Sequence, residues 1–148
     1  MLNQDFKEFA ELLNARGVEY LVVDGYALAA HGHPRYTGDI DFWVGLGQDN
    51  IQRLLDALQA FGFASLGLKV DDFNQDTIVQ LGQPPRRIDI LTAIDGVDFS
   101  ACFERRGSAV LGGVQLNVIG LTDFITNKKA SGRLKDLVDL ETLNPPQP

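Results

Sequence analysis

Cysteine is almost absent. Cys102 stands alone, so the chain can form no internal disulfide, and its one thiol cannot build a zinc site by itself. Long apolar runs are also missing: the longest are a few residues, against the roughly 20 that a bilayer span requires. Met1-Leu2-Asn3-Gln4-Asp5 lacks the basic start and apolar run of a secretion signal, and a cytoplasmic protein with no membrane partner is expected. Positive charge is scarce, with 13 Lys+Arg against 20 Asp+Glu and a formal net charge of −7. Such a chain is a poor non-specific nucleic-acid binder, because phosphates repel it across a Debye length of about 10 Å. What is present is a mixture of 45% hydrophobic and 22% charged residues over 148 positions, which excludes a disordered segment and suits one domain.

The charge is unevenly placed. Residues 1–85 carry 5 basic and 12 acidic side chains, whereas residues 86–148 carry 8 of each, with pairs at Arg86-Arg87, Arg105-Arg106 and Lys128-Lys129. The first part invites cations, and the second offers groups that can hold phosphates, among them the basic run Asn127–Asp136, which otherwise reads as an exposed helix face.

Periodicity divides the chain into short elements. Phe6, Phe9, Ala10, Leu12 and Leu13 make one stripe of a helix over 5–16, stopped at Gly17. Tyr20–Val23 reads as a buried strand, Tyr26–Ala30 as a short helix closed by His31-Gly32, and His33–Gly38 as a loop. Asp39–Val44 is a second strand, and residues 49–61 form the best helix, with Ile51, Leu54, Leu55, Leu58 and Phe61 on one face. Weaker strand signals follow at Leu66–Val70 and Thr77–Leu81, then a clearer one at Arg87–Leu91 after Pro84-Pro85. Ala109–Leu111 and Val114–Val118 flank Gly112-Gly113 as a hairpin. Thr122 is placed to cap a helix running to Ser131, and a last helix spans about Leu134–Leu143. The expected fold is α/β (α+β), a small twisted mixed sheet with helices mainly on one face. One domain over 1–143 and a disordered tail over 144–148 complete the expectation.

The most informative stretch is Gly38-Asp39-Ile40-Asp41-Phe42-Trp43-Val44. Residues two apart on a strand share a face, so Asp39 and Asp41 lie together with Ile40 and Phe42 turned to the core. Adjacent like charges repel unless a cation lies between them, and hard carboxylate oxygens at this spacing suit Mg²⁺, with Mn²⁺ as a substitute. A DxD pair also occurs as a solvated strand surface, and a sugar-nucleotide transferase can use one; the short chain leaves little room for the acceptor domain of the latter. Arg87-Ile88-Asp89-Ile90-Leu91 adds a third acid if the two strands pair; otherwise Asp89 is an edge carboxylate neutralised by Arg86 or Arg87. Val23-Asp24-Gly25-Tyr26 is a strand-turn-helix whose glycine allows close backbone approach. His31 and His33 read as a helix C-cap and a loop residue, Trp43, Phe99 and Phe103 as core, and Cys102 as a buried small hydrophobe.

On these residues the chain resembles the small bacterial nucleotidyltransferases of the DNA polymerase β-like superfamily. The likeness begins at Leu21–Gly32 and runs through His33-Pro34-Arg35-Tyr36-Thr37-Gly38-Asp39-Ile40-Asp41. It resumes at Asp89 and at Asn127–Glu141. The branch it looks most like is the abortive-infection (AbiEii-type) group of stand-alone domains, some of them toxins. The resemblance implies transfer of a nucleoside monophosphate from an NTP, ATP being the expected donor, to a hydroxyl acceptor. That acceptor is a small molecule, a protein or an RNA 3′ end. It implies Asp39, Asp41 and Asp89 as the catalytic metal ligands, Asp89 alternatively as the base. It further implies nucleotide binding by Gly25, Tyr26, Arg35, Thr37, Lys128, Arg133 and Asp136. The chain departs from the pattern at Asp24, where the family has Gly-Gly or Gly-Ser. An anion there opposes a triphosphate unless its side chain turns away to cap the next helix. The alternative is a catalytically weak binding or regulatory module on the same fold.

Overall fold

The computed structural model describes residues 2–143; the expected tail over 144–148 lies outside the described residues. Helix α1 (Gln4–Ala15) is opened by Asn3, whose side chain accepts from the Phe6 N–H, and is followed by Gly17 at φ 68°. Its buried stripe of Phe6, Phe9, Ala10 and Leu13 is the one the spacing predicts. β1 (Tyr20–Val23), α2 (Asp24–Ala30) and β2 (Asp39–Val44) follow, then α3 (Gln48–Ala60). β3 (Ile78–Leu81) and β4 (Arg87–Leu91) form one hairpin-like pair, and β5 (Gly107–Leu111) and β6 (Val114–Val118) another. α4 (Phe99–Glu104) lies between β4 and β5; α5 (Leu121–Ser131) and α6 (Leu134–Leu143) end the described chain.

The six strands make one mixed sheet in the order β3-β4-β2-β1-β6-β5. β1 runs antiparallel to β2 and parallel to β6, and β2 runs parallel to β4. The mixed α and β composition is as expected. Periodicity alone does not choose between α/β and α+β, and the antiparallel pairs β1–β2, β3–β4 and β5–β6 make the arrangement α+β. One face of the sheet carries Tyr20, Val22, Ile40 and Phe42. Phe9 of α1 meets Phe42 edge-on at 5.5 Å and Phe61, the C-cap of α3, at 5.2 Å, so both helices seal this face into a dry core. The opposite face carries Asp39, Asp41 and Trp43. α4 covers its Trp43 end, where Phe99 meets the indole edge-on at 5.2 Å. The other end is left open beside α5 and α6, and this opening is where the acids lie.

Three local expectations are corrected. Leu66–Val70 is not a strand: two 3₁₀ turns, Ala64–Leu66 and Val70–Asp72, flank it. Gly67 at φ 66° ends the first, and the Asp72 carboxylate accepts the Lys69 N–H at 2.7 Å to close the second. α4 has no counterpart in the periodicity reading; Asp98 caps it by accepting from the Ala101 N–H at 3.2 Å. Thr122 does not cap α5: the helix begins at Leu121, and its N-cap is Gly120, two residues before Thr122. A Cβ at Gly120 would sit 3.1 Å from the Arg105 carbonyl oxygen, which accounts for the residue found there. His31 does close α2, and its Nε2 lies 2.8 Å from the Ile119 carbonyl oxygen. Cys102 is fully buried, and burial, reinforced by Asp123, pushes its thiol up to about 11, so it is no nucleophile.

Candidate active site

Sheet register builds the acidic centre. Because β2 and β4 are parallel with Asp41 opposite Asp89, and Asp39 opposite Arg87, three carboxylates and one guanidinium emerge on the same face. Asp39, Asp41 and Asp89 each place one carboxylate oxygen within 4.8 Å of the others. Asp41 is 7% exposed and Asp89 5%. Ile40, Phe42, Ile88 and Ile90 alternate with them and anchor both strands in the core. The acids therefore stand on two rigid central strands.

Arg87 partly neutralises the group. Its Nη2 donates to Asp39 at 2.7 Å and to Asp89 at 3.1 Å, and its Nε donates to Asp89 at 2.9 Å. The edge-neutralisation reading of Asp89 and the convergence of three acids are thus both realised. The Thr37 hydroxyl, with one proton to donate, lies 3.0 Å from the Asp39 carbonyl oxygen and 3.1 Å from its carboxylate, and so tethers that residue. Asp41 forms no ion pair among the described residues. Burial first, then Asp39, Asp24 and Asp89, push its carboxyl up to about 8. Asp89 is raised as well, chiefly by burial, against the opposing Arg87.

A second acidic group lies beside the first, and it is saturated with cations. Asp24, Asp136 and Asp139 surround the Lys128 ammonium, which is 1% exposed and reaches Asp136 at 3.0 Å and Asp139 at 3.4 Å as well as Asp24. Arg35 binds Asp139 through two nitrogens at 2.8 and 3.1 Å and reaches Asp24 at 3.3 Å. Arg133 holds Asp136 at 2.8 Å, and Lys135 holds Asp24 at 3.0 Å. Burial raises the Asp24 carboxyl, but Lys128 and then Lys135 outweigh it and hold Asp24 down at about 2. Four cations face three carboxylates, which leaves this network one positive charge in excess. It ties the start of α2 and the following loop to α5 and α6.

Between the two groups runs a cleft of about 400 Å³. Asp39, Asp41 and Asp89 form its floor, and Asp24, Lys128, Arg133 and Lys135 its charged wall. Ile78, Gln80, Leu91 and Ile94 form a wall without charge. Of the residues the resemblance assigns to nucleotide binding, Lys128 and Arg133 line this cleft. Gly25, Tyr26, Arg35, Thr37 and Asp136 stand behind it. Gly25 is where it is because a Cβ would meet Thr37 Cβ at 3.0 Å and Arg35 Nη1 at 3.1 Å. Tyr26 packs edge-on against Phe6 at 5.6 Å. Asp136 is fully buried, held by Lys128 and Arg133. Asp24 does not cap α2: the N-cap is Val23, without a side-chain hydrogen bond, and the Asp24 carboxylate turns to the cations instead.

Sequence reasoning names Arg87 only as an alternative neutraliser of Asp89, and it does not single out Asp139 or Lys135 as members of the site. Arg87 had a signal, since it stands two residues before Asp89 on a strand and must share its face. Asp139 follows Asp136 by one helical turn, which puts both on the same side of α6. Lys135 lies in the basic run Asn127–Asp136, but nothing in that run sets it apart from its other cations.

No known protein family matches this sequence, and no curated protein matches it. Among the described residues no helix is long and apolar enough to cross a membrane.

Proposed function

We propose that this chain is a Mg²⁺-dependent nucleotidyltransferase that moves a nucleoside monophosphate from an NTP to a hydroxyl acceptor and releases pyrophosphate. The observation that carries the reading is the convergence of Asp39, Asp41 and Asp89 from two paired strands at the floor of an open cleft. The donor set fits a small hard cation: three carboxylate oxygens within 4.8 Å of one another, two of the acids buried, and Asp41 without a basic partner among the described residues. Asp39, Asp41 and Asp89 would hold the ion. When bound it would neutralise the phosphates and polarise the α-phosphorus.

The residues divide the remaining work. The acceptor oxygen forms a bond to the α-phosphorus as the bond from that phosphorus to the bridging oxygen breaks, and the leaving group is pyrophosphate. Asp89, at the end of the triad beside the uncharged wall, accepts the acceptor's proton. Lys135 and Arg133, half exposed on the charged wall, offset charge on the leaving group. Thr37 and the packing of Gly25 against it keep Asp39 aimed. The wall of Ile78, Leu91 and Ile94 carries no cation and suits an apolar or uncharged body; an RNA backbone would find no counter-charge there.

Incubation with each NTP labelled at the α-phosphorus, Mg²⁺ and cell lysate tests the reading. The label should enter a protein, small-molecule or RNA fraction, and Asp41→Asn should lower that transfer by on the order of 10²–10³ or more. Transfer by Asp41→Asn at the native rate, or no transfer from any NTP, would sink it. A catalytically weak nucleotide-binding or regulatory module is the second reading. It draws on the Asp24 carboxylate, which already occupies Lys128 and Lys135; calorimetric nucleotide binding without transfer would favour it.

A further inference from the structure

Asp24 is the only non-glycine residue with a positive φ (61°) among the described residues. Outside glycine this region is visited mainly by Asn and Asp, and contacts from the surrounding structure hold Asp24 in it. Those contacts are ionic. One oxygen of Asp24 takes Lys128 and Arg35, the other takes Lys135 at 3.0 Å, and the side chain is 18% exposed at the cleft wall. The carboxylate thus presents two anionic oxygens to three cations on the wall of the cleft that also holds the triad.

We propose that Asp24 is an internal anion seated where a phosphate group of the substrate would bind, so that polyphosphate enters this cleft by exchanging with a carboxylate. The inference rests on the polyphosphate reading above and names its regulation. A carboxylate and a phosphate offer the same thing to Lys128, Lys135 and Arg35: oxygens in a fork, with negative charge. While Asp24 is in place the basic network holds one excess positive charge; without the Asp24 charge it holds two. A single phosphate gains little by displacing an anion that is already tethered. A chain of phosphates also reaches Arg133 along the same wall, and it can complete the exchange. Asp24 therefore selects for substrates carrying several phosphates and keeps the basic wall closed to monophosphates and carboxylates.

The test uses Asp24→Asn, which tolerates a left-handed backbone and removes the charge while keeping the shape. Inorganic triphosphate is titrated by calorimetry at low salt with divalent ions chelated, so the outcome is independent of metal binding and of catalysis. Asp24→Asn is expected to bind triphosphate about tenfold tighter or more than the native chain, by loss of one like charge near the anion. Orthophosphate, which makes fewer contacts along the wall, should bind measurably only to Asp24→Asn. Adding Lys135→Met to Asp24→Asn should abolish most of the gain. Equal or weaker triphosphate binding by Asp24→Asn, or a gain that survives Lys135→Met in full, overturns the proposal and leaves Asp24 a strut for Lys128. If Asp24→Asn fails to fold, Asp24→Gly, which also accepts this φ, is titrated with the same two outcomes. Label transfer by the native enzyme is a separate measurement, and its failure would count against the function while this result stood.

Discussion

Replacing Asp41 by asparagine should make the metal-free protein more stable while removing the proposed transfer activity. Asp41 is buried beside two other acids, and its carboxyl stands near 8 in the folded chain against an ordinary 3.8. The folded state thus holds a proton that the unfolded state releases above about pH 4. Stability is fully present below that pH and is lost as pH rises through about 8. Four units at about 1.4 kcal/mol each give a ceiling of about 6 kcal/mol. Sharing of the proton with Asp89, and water entering the open cleft, reduce the effect to about 2–3 kcal/mol. Asparagine keeps the shape without the charge. At pH 8 in chelator, its melting temperature should exceed that of the native chain by roughly 5–10 °C. Between pH 5 and 8 the native protein should lose stability and Asp41→Asn should stay nearly level. Saturating Mg²⁺ should close the gap, because a cation does for the native acids what the substitution does for the variant. Thermal melts across pH, with and without Mg²⁺, read all three quantities. A variant less stable than native at pH 8, or one with the same pH slope, would refute the reasoning.

Lys128→Met should cost about 3–5 kcal/mol in urea unfolding, because it strands the buried Asp136 and Asp139 beside an apolar side chain; a loss under 1 kcal/mol would mean that Arg35 and Arg133 carry the network alone. Gly25→Ala should cost about 1–3 kcal/mol, since its methyl would crowd Thr37 and Arg35. It should also weaken Mn²⁺ binding by disturbing the Thr37–Asp39 hydrogen bond, and unchanged Mn²⁺ affinity would show that Thr37 does not aim Asp39. Arg87→Gln removes the cation paired with Asp39 and Asp89, so its metal-free melting temperature should fall and Mn²⁺ should restore it. A deficit that persists in saturating Mn²⁺ would give Arg87 a packing role instead.

The elements that hold the acids were legible because their chemistry is local. Asp39–Val44 and Arg87–Leu91 alternate polar and apolar residues, so each strand and its outward face follow from the order of residues. Their pairing is another matter. Nothing local in a strand at 39–44 says that its neighbour is 48 residues away, in parallel, with Asp41 against Asp89. The grip of Arg87 on Asp39 depends on that register and so was out of reach. Lys128 shows the limit most clearly. Within Asn127-Lys128-Lys129 it reads as part of an exposed basic run, yet it is buried and Lys129 is exposed. The acids that hold it come from Asp24, at the far end of the chain, and from the next helix. α4 was missed because it is only six residues long and its apolar positions are too few to define a period. Leu66–Val70 misled because apolar residues around Gly67 resemble a strand until the Asp72 side chain closes the turn on Lys69.

Titration of the native chain with Mn²⁺, followed by electron paramagnetic resonance, tests the central claim most directly. Saturable binding is predicted, strengthened by ATP and lost in both Asp39→Asn and Asp41→Asn. A native protein that leaves Mn²⁺ free in solution with ATP present, or one that binds it equally well without either carboxylate, would contradict the account.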